Sequence, residues 1–138
     1  MPAPSLETAV RYVPGLAIVD LRGEIDGFAA SSLDAAFALA ESHDPPAILL
    51  NLANVGYINS KGIALIVALL TRARQAHRQL LACGLDPHYQ ELFAVTRLAQ
   101  WIALYPDETS ALAARPFLSE TEKRSSPGVP AAGAERRS

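Results

Sequence analysis

The chain has 138 residues, half of them hydrophobic and 19% charged, enough for one packed domain and unlike the composition of a disordered chain. Its net charge of −2 offers no basic field for nucleic acid, and its single cysteine, Cys83, excludes an intrachain disulfide. The start Met1-Pro2-Ala3-Pro4-Ser5 lacks the basic and apolar parts of a signal peptide, and no apolar run approaches the roughly 20 residues of a membrane span, so a soluble, cytoplasmic protein without membrane insertion is expected.

Val10 to Val13 and Leu16 to Arg22 are short runs rich in β-branched residues, parted by Pro14-Gly15, which predicts a hairpin. Gly23-Glu24-Ile25-Asp26 closes the second run with turn chemistry. From Phe28 to Ala40, Leu33, Phe37 and Ala40 recur at helical spacing, with Ser31 and Ser32 placed to help cap the helix and His43-Asp44-Pro45-Pro46 placed to end it. Ala47 to Leu52 is a compact apolar run, the mark of a strand covered on both faces. After a loop, Asn59 or Ser60 caps a second helix reaching about His77, with Ile63, Ile66, Val67 and Leu70 turned inward. Arg72, Arg74 and Arg78 fall near its C-terminal end, where cations suit the macrodipole.

Leu80 to Cys83 predicts another buried strand, stopped by Gly84, and Asp86-Pro87 opens a third helix through about Thr96. Ile102 to Tyr105 fits an edge strand and Glu108 to Ala114 a last short helix. Trp101 and Tyr89 read as packing residues. The order implies an α/β fold with a mixed central sheet of four to five strands and helices packed on it. Residues 1–114 form this domain. Residues 115–138, with hardly an apolar anchor beyond Phe117 and Leu118, are expected to be a disordered tail carrying five basic and three acidic side chains.

Enzymatic constellations are absent. His43, His77 and His88 share no metal-ligand spacing with each other or with Cys83, and there is no nucleophile elbow, P-loop or dinucleotide fingerprint. No metal, cofactor or catalytic residue is therefore expected. One segment stands out: Tyr57-Ile58-Asn59-Ser60-Lys61-Gly62 leads from a loop into an unusually apolar helix. A hydroxyl there sits where free backbone N–H groups and a positive partial charge converge, so an attached phosphate would be electrostatically welcome. Gly62 removes a side chain beside it, which would let another protein approach. The plainer reading is that Ser60 or Asn59 simply caps the helix.

Asn59-Ser60-Lys61-Gly62, followed by Ile63-Ala64-Leu65, resembles the Asp-Ser-x-Gly-Leu/Ile segment of STAS-domain anti-sigma factor antagonists. Gly23-Glu24-Ile25-Asp26 is similar to the Gly-Glu-Leu-Asp segment closing their second strand, and Ile48-Leu49-Leu50-Asn51-Leu52 to their third strand. The spacing of the three segments and the order of elements agree as well, and the resemblance runs from about Leu6 to Ala114. The resemblance implies the STAS fold and a binding module rather than an enzyme. It implies that Ser60 is phosphorylated by a partner anti-sigma factor that doubles as a serine kinase of the histidine-kinase-like ATPase fold. A PP2C-type phosphatase would reverse this. The unphosphorylated form would sequester the anti-sigma factor, and Asp26 would be the acidic partner-binding residue.

The candidate interface is Asp26, Phe28, Asn59, Ser60, Lys61, Gly62, Ile63 and Ala64. The family's acidic residue before the serine is Asn59 here, and a basic residue, Lys61, follows it, which eases accommodation of a phosphate and alters what a kinase must recognise. The alternative from another class is a constitutive STAS regulatory subunit of a transport ATPase or of a larger signalling complex.

Overall fold

The computed structural model describes residues 6–114, and the expected tail at 115–138 lies outside them. Strands β1 (Leu6–Val13), β2 (Leu16–Ile25), β3 (Ala47–Ile58), β4 (Gln79–Cys83) and β5 (Ala103–Tyr105) form one sheet in the order β1-β2-β3-β4-β5. β1 and β2 are an antiparallel hairpin; every later pairing is parallel. Helices α1 (Ala30–Glu41), α2 (Ser60–Gln75) and α3 (Pro87–Val95) supply the crossovers that parallel strands require, and α4 (Glu108–Ala113) follows β5. The mixed α/β architecture expected from the sequence is the one observed.

Strand alternation divides the core between two faces. Val19, Leu21, Ile48, Leu50 and Leu52 meet Leu33 and Phe37 of α1, Ile66 and Leu69 of α2, and Phe93 of α3 in the larger cluster. Leu16, Ile18, Leu49, Leu81 and Cys83 form the smaller one with Ala111 of α4. On that second face Arg11 of β1 makes a forked contact to Asp20 of β2, with Nε 2.6 Å from Oδ2, and reaches Glu108 of α4, with Nη2 2.6 Å from Oε1. The Asn51 Nδ2 donates to Asp20 Oδ1 at 2.8 Å, so one polar row ties three strands to α4. Cys83 is buried beneath it, as expected of a core thiol, and burial first, then the carboxylates of Glu108, Asp107 and Asp20, push its pKa up to about 11.

Several boundaries depart from the sequence reading. β1 begins at Leu6 rather than Val10, because Leu6 is buried in the main cluster and pairs with Gly23. Gly23-Glu24-Ile25 continues β2 instead of turning, and β3 runs six residues past Leu52 where a loop was expected. Only its first part, Ala47 to Asn51, is sandwiched between two strands; beyond that it pairs with β2 alone, through two register shifts. Gly23, at φ 114°, lies at the second shift, in a conformation that favours glycine.

Ser31 and Ser32 do not cap α1. Its N-cap is Ala29, reached from a 3-10 turn over Gly27–Ala29, so the entry is shaped upstream at Asp26. On α2, Ile66 and Leu70 point inward with Leu69 and Ala73, Ile63 is half-buried against the core, and Val67 is 38% exposed. Val67 lies outside the stripe set by Gly62, Ile66, Leu69 and Ala73. Tyr89 is buried and its hydroxyl accepts from the Ile58 N–H at 3.0 Å. Trp101 is not a packed residue: it is 52% exposed, with the Arg74 guanidinium 4.3 Å over its ring.

Candidate functional site: two capped turns at adjacent strand ends

The strand pairing brings the two sequence motifs together. Ile25 and Ile58, the last residues of β2 and β3, are register partners, so Asp26 and Asn59 leave the sheet side by side. The Asn59 N–H donates to the Ile25 carbonyl at 3.2 Å and extends that contact by one residue. Each chain then begins a helical segment. Asp26 is extended (φ −126°, ψ −169°) and its Oδ1 accepts from the Phe28 N–H at 2.9 Å, capping the 3-10 turn. Asn59 is likewise extended (φ −95°, ψ −177°), and its Oδ1 accepts from the Gly62 N–H at 2.8 Å, capping α2.

This decides between the two capping candidates. Asn59 is the N-cap and Ser60 is the first residue of α2. Ser60 is exposed, and its hydroxyl has no hydrogen-bond partner among the described residues. A nucleophilic oxygen is thus presented to solvent at a helix N-terminus, with the capping task done by its neighbour. The partial positive charge of that terminus favours any anion formed there.

Gly62 has an internal reason for its missing side chain. It is buried, and a Cβ there would lie 1.9 Å from the Ile25 carbonyl oxygen. The first turn of α2 is seated on the end of β2, and any side chain would lift it off. The expectation that Gly62 opens the surface to a partner is therefore replaced by close packing between helix and strand. Lys61 is exposed, and its stem crosses the neighbouring turn: a Cβ on Gly27 would lie 2.9 Å from Lys61 Cδ. Phe28 is 89% exposed on that turn, and Ala64 is exposed one helical turn beyond Ser60.

The expected interface residues thus form one small surface, except that Gly62 lies beneath it and Ile63 is half in the core. The sequence reading missed Gly27, whose bareness makes room for Lys61. Only a known strand pairing would have pointed to it. Two of the three histidines make ring contacts: His43 stacks on Tyr12 with centroids 3.7 Å apart, and His88 meets Tyr89 edge-on. Among the described residues no group of His, Cys, Asp and Glu could hold a metal ion, and no helix is long and apolar enough to cross a membrane.

Comparison with known proteins identifies the family and the fold. The family model of the STAS domain matches residues 7–111. BtrV of Bordetella bronchiseptica, described provisionally as an anti-sigma factor antagonist, is 26% identical over 102 residues, which are 74% of this chain and 85% of that protein. The crystal structure of an anti-sigma factor antagonist from Mycobacterium paratuberculosis is 27% identical, with a TM-score of 0.68 over 84% of this chain and 99% of that one. The Bacillus cell fate determinant SpoIIAA in its phosphorylated form has a TM-score of 0.61 at 16% identity, covering 79% of this chain and all of its own; it shares the fold.

Proposed function

The chain belongs to the STAS domain family, and from that membership we propose that it is an anti-sigma factor antagonist switched by phosphorylation of Ser60. The observation that carries the switch is the exposed Ser60 hydroxyl, left uncommitted because Asn59 caps the helix. The Bordetella relative and the mycobacterial structure support the antagonist part of the reading.

The protein acts as a binding module and a kinase substrate, not as an enzyme. Its partner is an anti-sigma factor with the histidine-kinase-like ATPase fold, which both binds the Asp26–Ser60 surface and phosphorylates it; a PP2C-type phosphatase restores the binding form. Phe28 is the apolar anchor, since an exposed aromatic ring with only two rotatable bonds gains much contact area on binding at little entropic cost. Asp26, Asn59, Lys61 and Ala64 surround it, Ile63 offers its exposed part, and Gly62 holds the helix in place.

Phosphorylation adds about −1.5 to −2 charges at pH 7. The phosphate is tolerated in the free protein by the α2 N-terminus and Lys61, but complex formation must strip its water and bring it towards any acidic rim. A penalty of about 3 kcal/mol lowers affinity roughly a hundredfold, so release needs no change of fold.

The test is capture from the host's extract on immobilised wild type, Ser60→Ala and Ser60→Glu, with retained proteins identified by mass spectrometry. The proposal expects a histidine-kinase-like ATPase on the first two and its loss on the third. Equal retention of an ABC-type ATPase by all three forms would instead establish the constitutive transport-ATPase subunit.

A further inference from the structure

Away from Ser60, at the other end of α2, two clefts of about 410 and 330 Å³ lie on either side of a shared wall made by Leu70, Arg74 and Trp101. The larger lies against β4 and reaches Arg78, Gln79 and Gln100; the smaller reaches Val67 and Arg97. Ser60 is about 21 Å away along the helix, at 1.5 Å per residue.

Three observations converge there. The guanidinium of Arg74 lies over the Trp101 ring, 4.3 Å from its centroid, and no described residue accepts from its N–H groups. Among the described residues neither Arg74 nor Arg97 has a carboxylate partner, unlike Arg11, Arg72 and Arg78. Arg78 gives Nη1 to Asp44 and to the Pro45 carbonyl, but its buried Nε–H has no acceptor, and it is the one such side-chain atom among the described residues. A buried donor without a partner is uncommon and calls for a ligand or water.

The bland explanation is that arginines gather at a helix C-terminus to meet its dipole. It accounts for little here. The carbonyls of Arg72, Ala73 and Arg74 already accept from Ala76, His77 and Arg78, and Arg97 is not on α2. Arg97 also adopts φ 66°, a left-handed conformation that a non-glycine residue rarely takes, at the entry to the Leu98–Gln100 turn.

We propose that this concavity binds a small anion carrying a flat ring. The anion sits in the larger cleft and accepts from the free edge of Arg74 and from Arg78 Nε, and the ring packs on the half-exposed indole and on Leu70. Guanidinium groups favour such planar, bidentate acceptors, and the clefts fall at the small end of ligand pockets.

Trp101 is the only tryptophan, so its emission reports on the site directly. The full chain, labelled with nitrogen-15, is titrated with phenyl phosphate, following both that emission and the Arg78 Nε–H resonance. The proposal expects a saturable change in both, with inorganic phosphate and benzyl alcohol each at least tenfold weaker. Arg74→Gln, an exposed position whose change leaves the fold intact, weakens binding roughly tenfold through loss of one charge-assisted hydrogen bond. No saturation by about 10 mM, where even a very weak site would show, overturns the proposal. So do undiminished binding by Arg74→Gln and shifts confined to residues around Ser60.

Discussion

At the scale of single residues, the Asn59–Gly62 segment separates structural tasks from the exposed chemical one. Asn59→Ala removes the α2 cap and should cost about 1 kcal/mol in a urea titration, the usual effect of losing an N-cap. Gly62→Ala should cost about 2–3 kcal/mol, because its methyl group meets the Ile25 carbonyl oxygen, and helix and strand must part to admit it. Phe28→Ala should behave differently. The ring is almost fully exposed, so stability should stay within about 0.5 kcal/mol of wild type. Partner affinity should fall roughly tenfold or more, as truncation of an aromatic anchor does. Loss of stability without loss of affinity in Phe28→Ala would mean that the ring serves the fold. The start of α2 was legible from the sequence, but which of Asn59 and Ser60 carries the cap was not. Both residue types cap helices, and only the Asn59 Oδ1 contact to the Gly62 N–H separates them.

At the scale of elements, the strands were readable where they are buried on two sides and obscure where they are not. Ala47 to Leu52 is largely apolar because, as far as Asn51, it lies between two strands with helices covering both faces. Ala53-Asn54-Val55-Gly56-Tyr57 looks like a loop because it pairs with one strand only and exposes much of its surface. Yet that extension, paired through Ile25 and Ile58, is what sets Asp26 beside Asn59. The second face offers an electrostatic test. Hydrogen bonds from Arg11 hold the Asp20 carboxyl below its ordinary pKa, against the opposing effect of burial. In the unfolded chain Asp20 titrates near its ordinary value of about 3.9, so between the two pKa values the unfolded state binds more protons. This contribution is therefore present above about pH 4 and is lost as pH falls through the folded pKa. Asp20→Asn should flatten the acid limb of a plot of urea midpoint against pH. An unchanged limb would mean that the contact between Arg11 and Asp20 does not contribute to stability.

At the scale of the whole molecule, the order of elements was enough to read an α/β sheet, because short apolar runs alternating with helical periodicity leave few other ways to bury both. The edge position of β5 was anticipated from its short run, but the assignment of α4 to the second face was not legible, since a six-residue helix carries too little pattern. The matched region ends at residue 111, close to the last described helix. A chain ending at Ala114 should therefore keep the urea midpoint of the full chain, and a clear drop would show that residues 115–138 contribute to the folded domain. The central claim is tested most directly by intact-mass analysis after incubation with the host's soluble extract and ATP, comparing wild type with Ser60→Ala. The account predicts the mass gain of one phosphate on the wild type and none on Ser60→Ala. No gain on either, while a control substrate is labelled in the same extract, would contradict it, and an equal gain on both would move the modification away from Ser60.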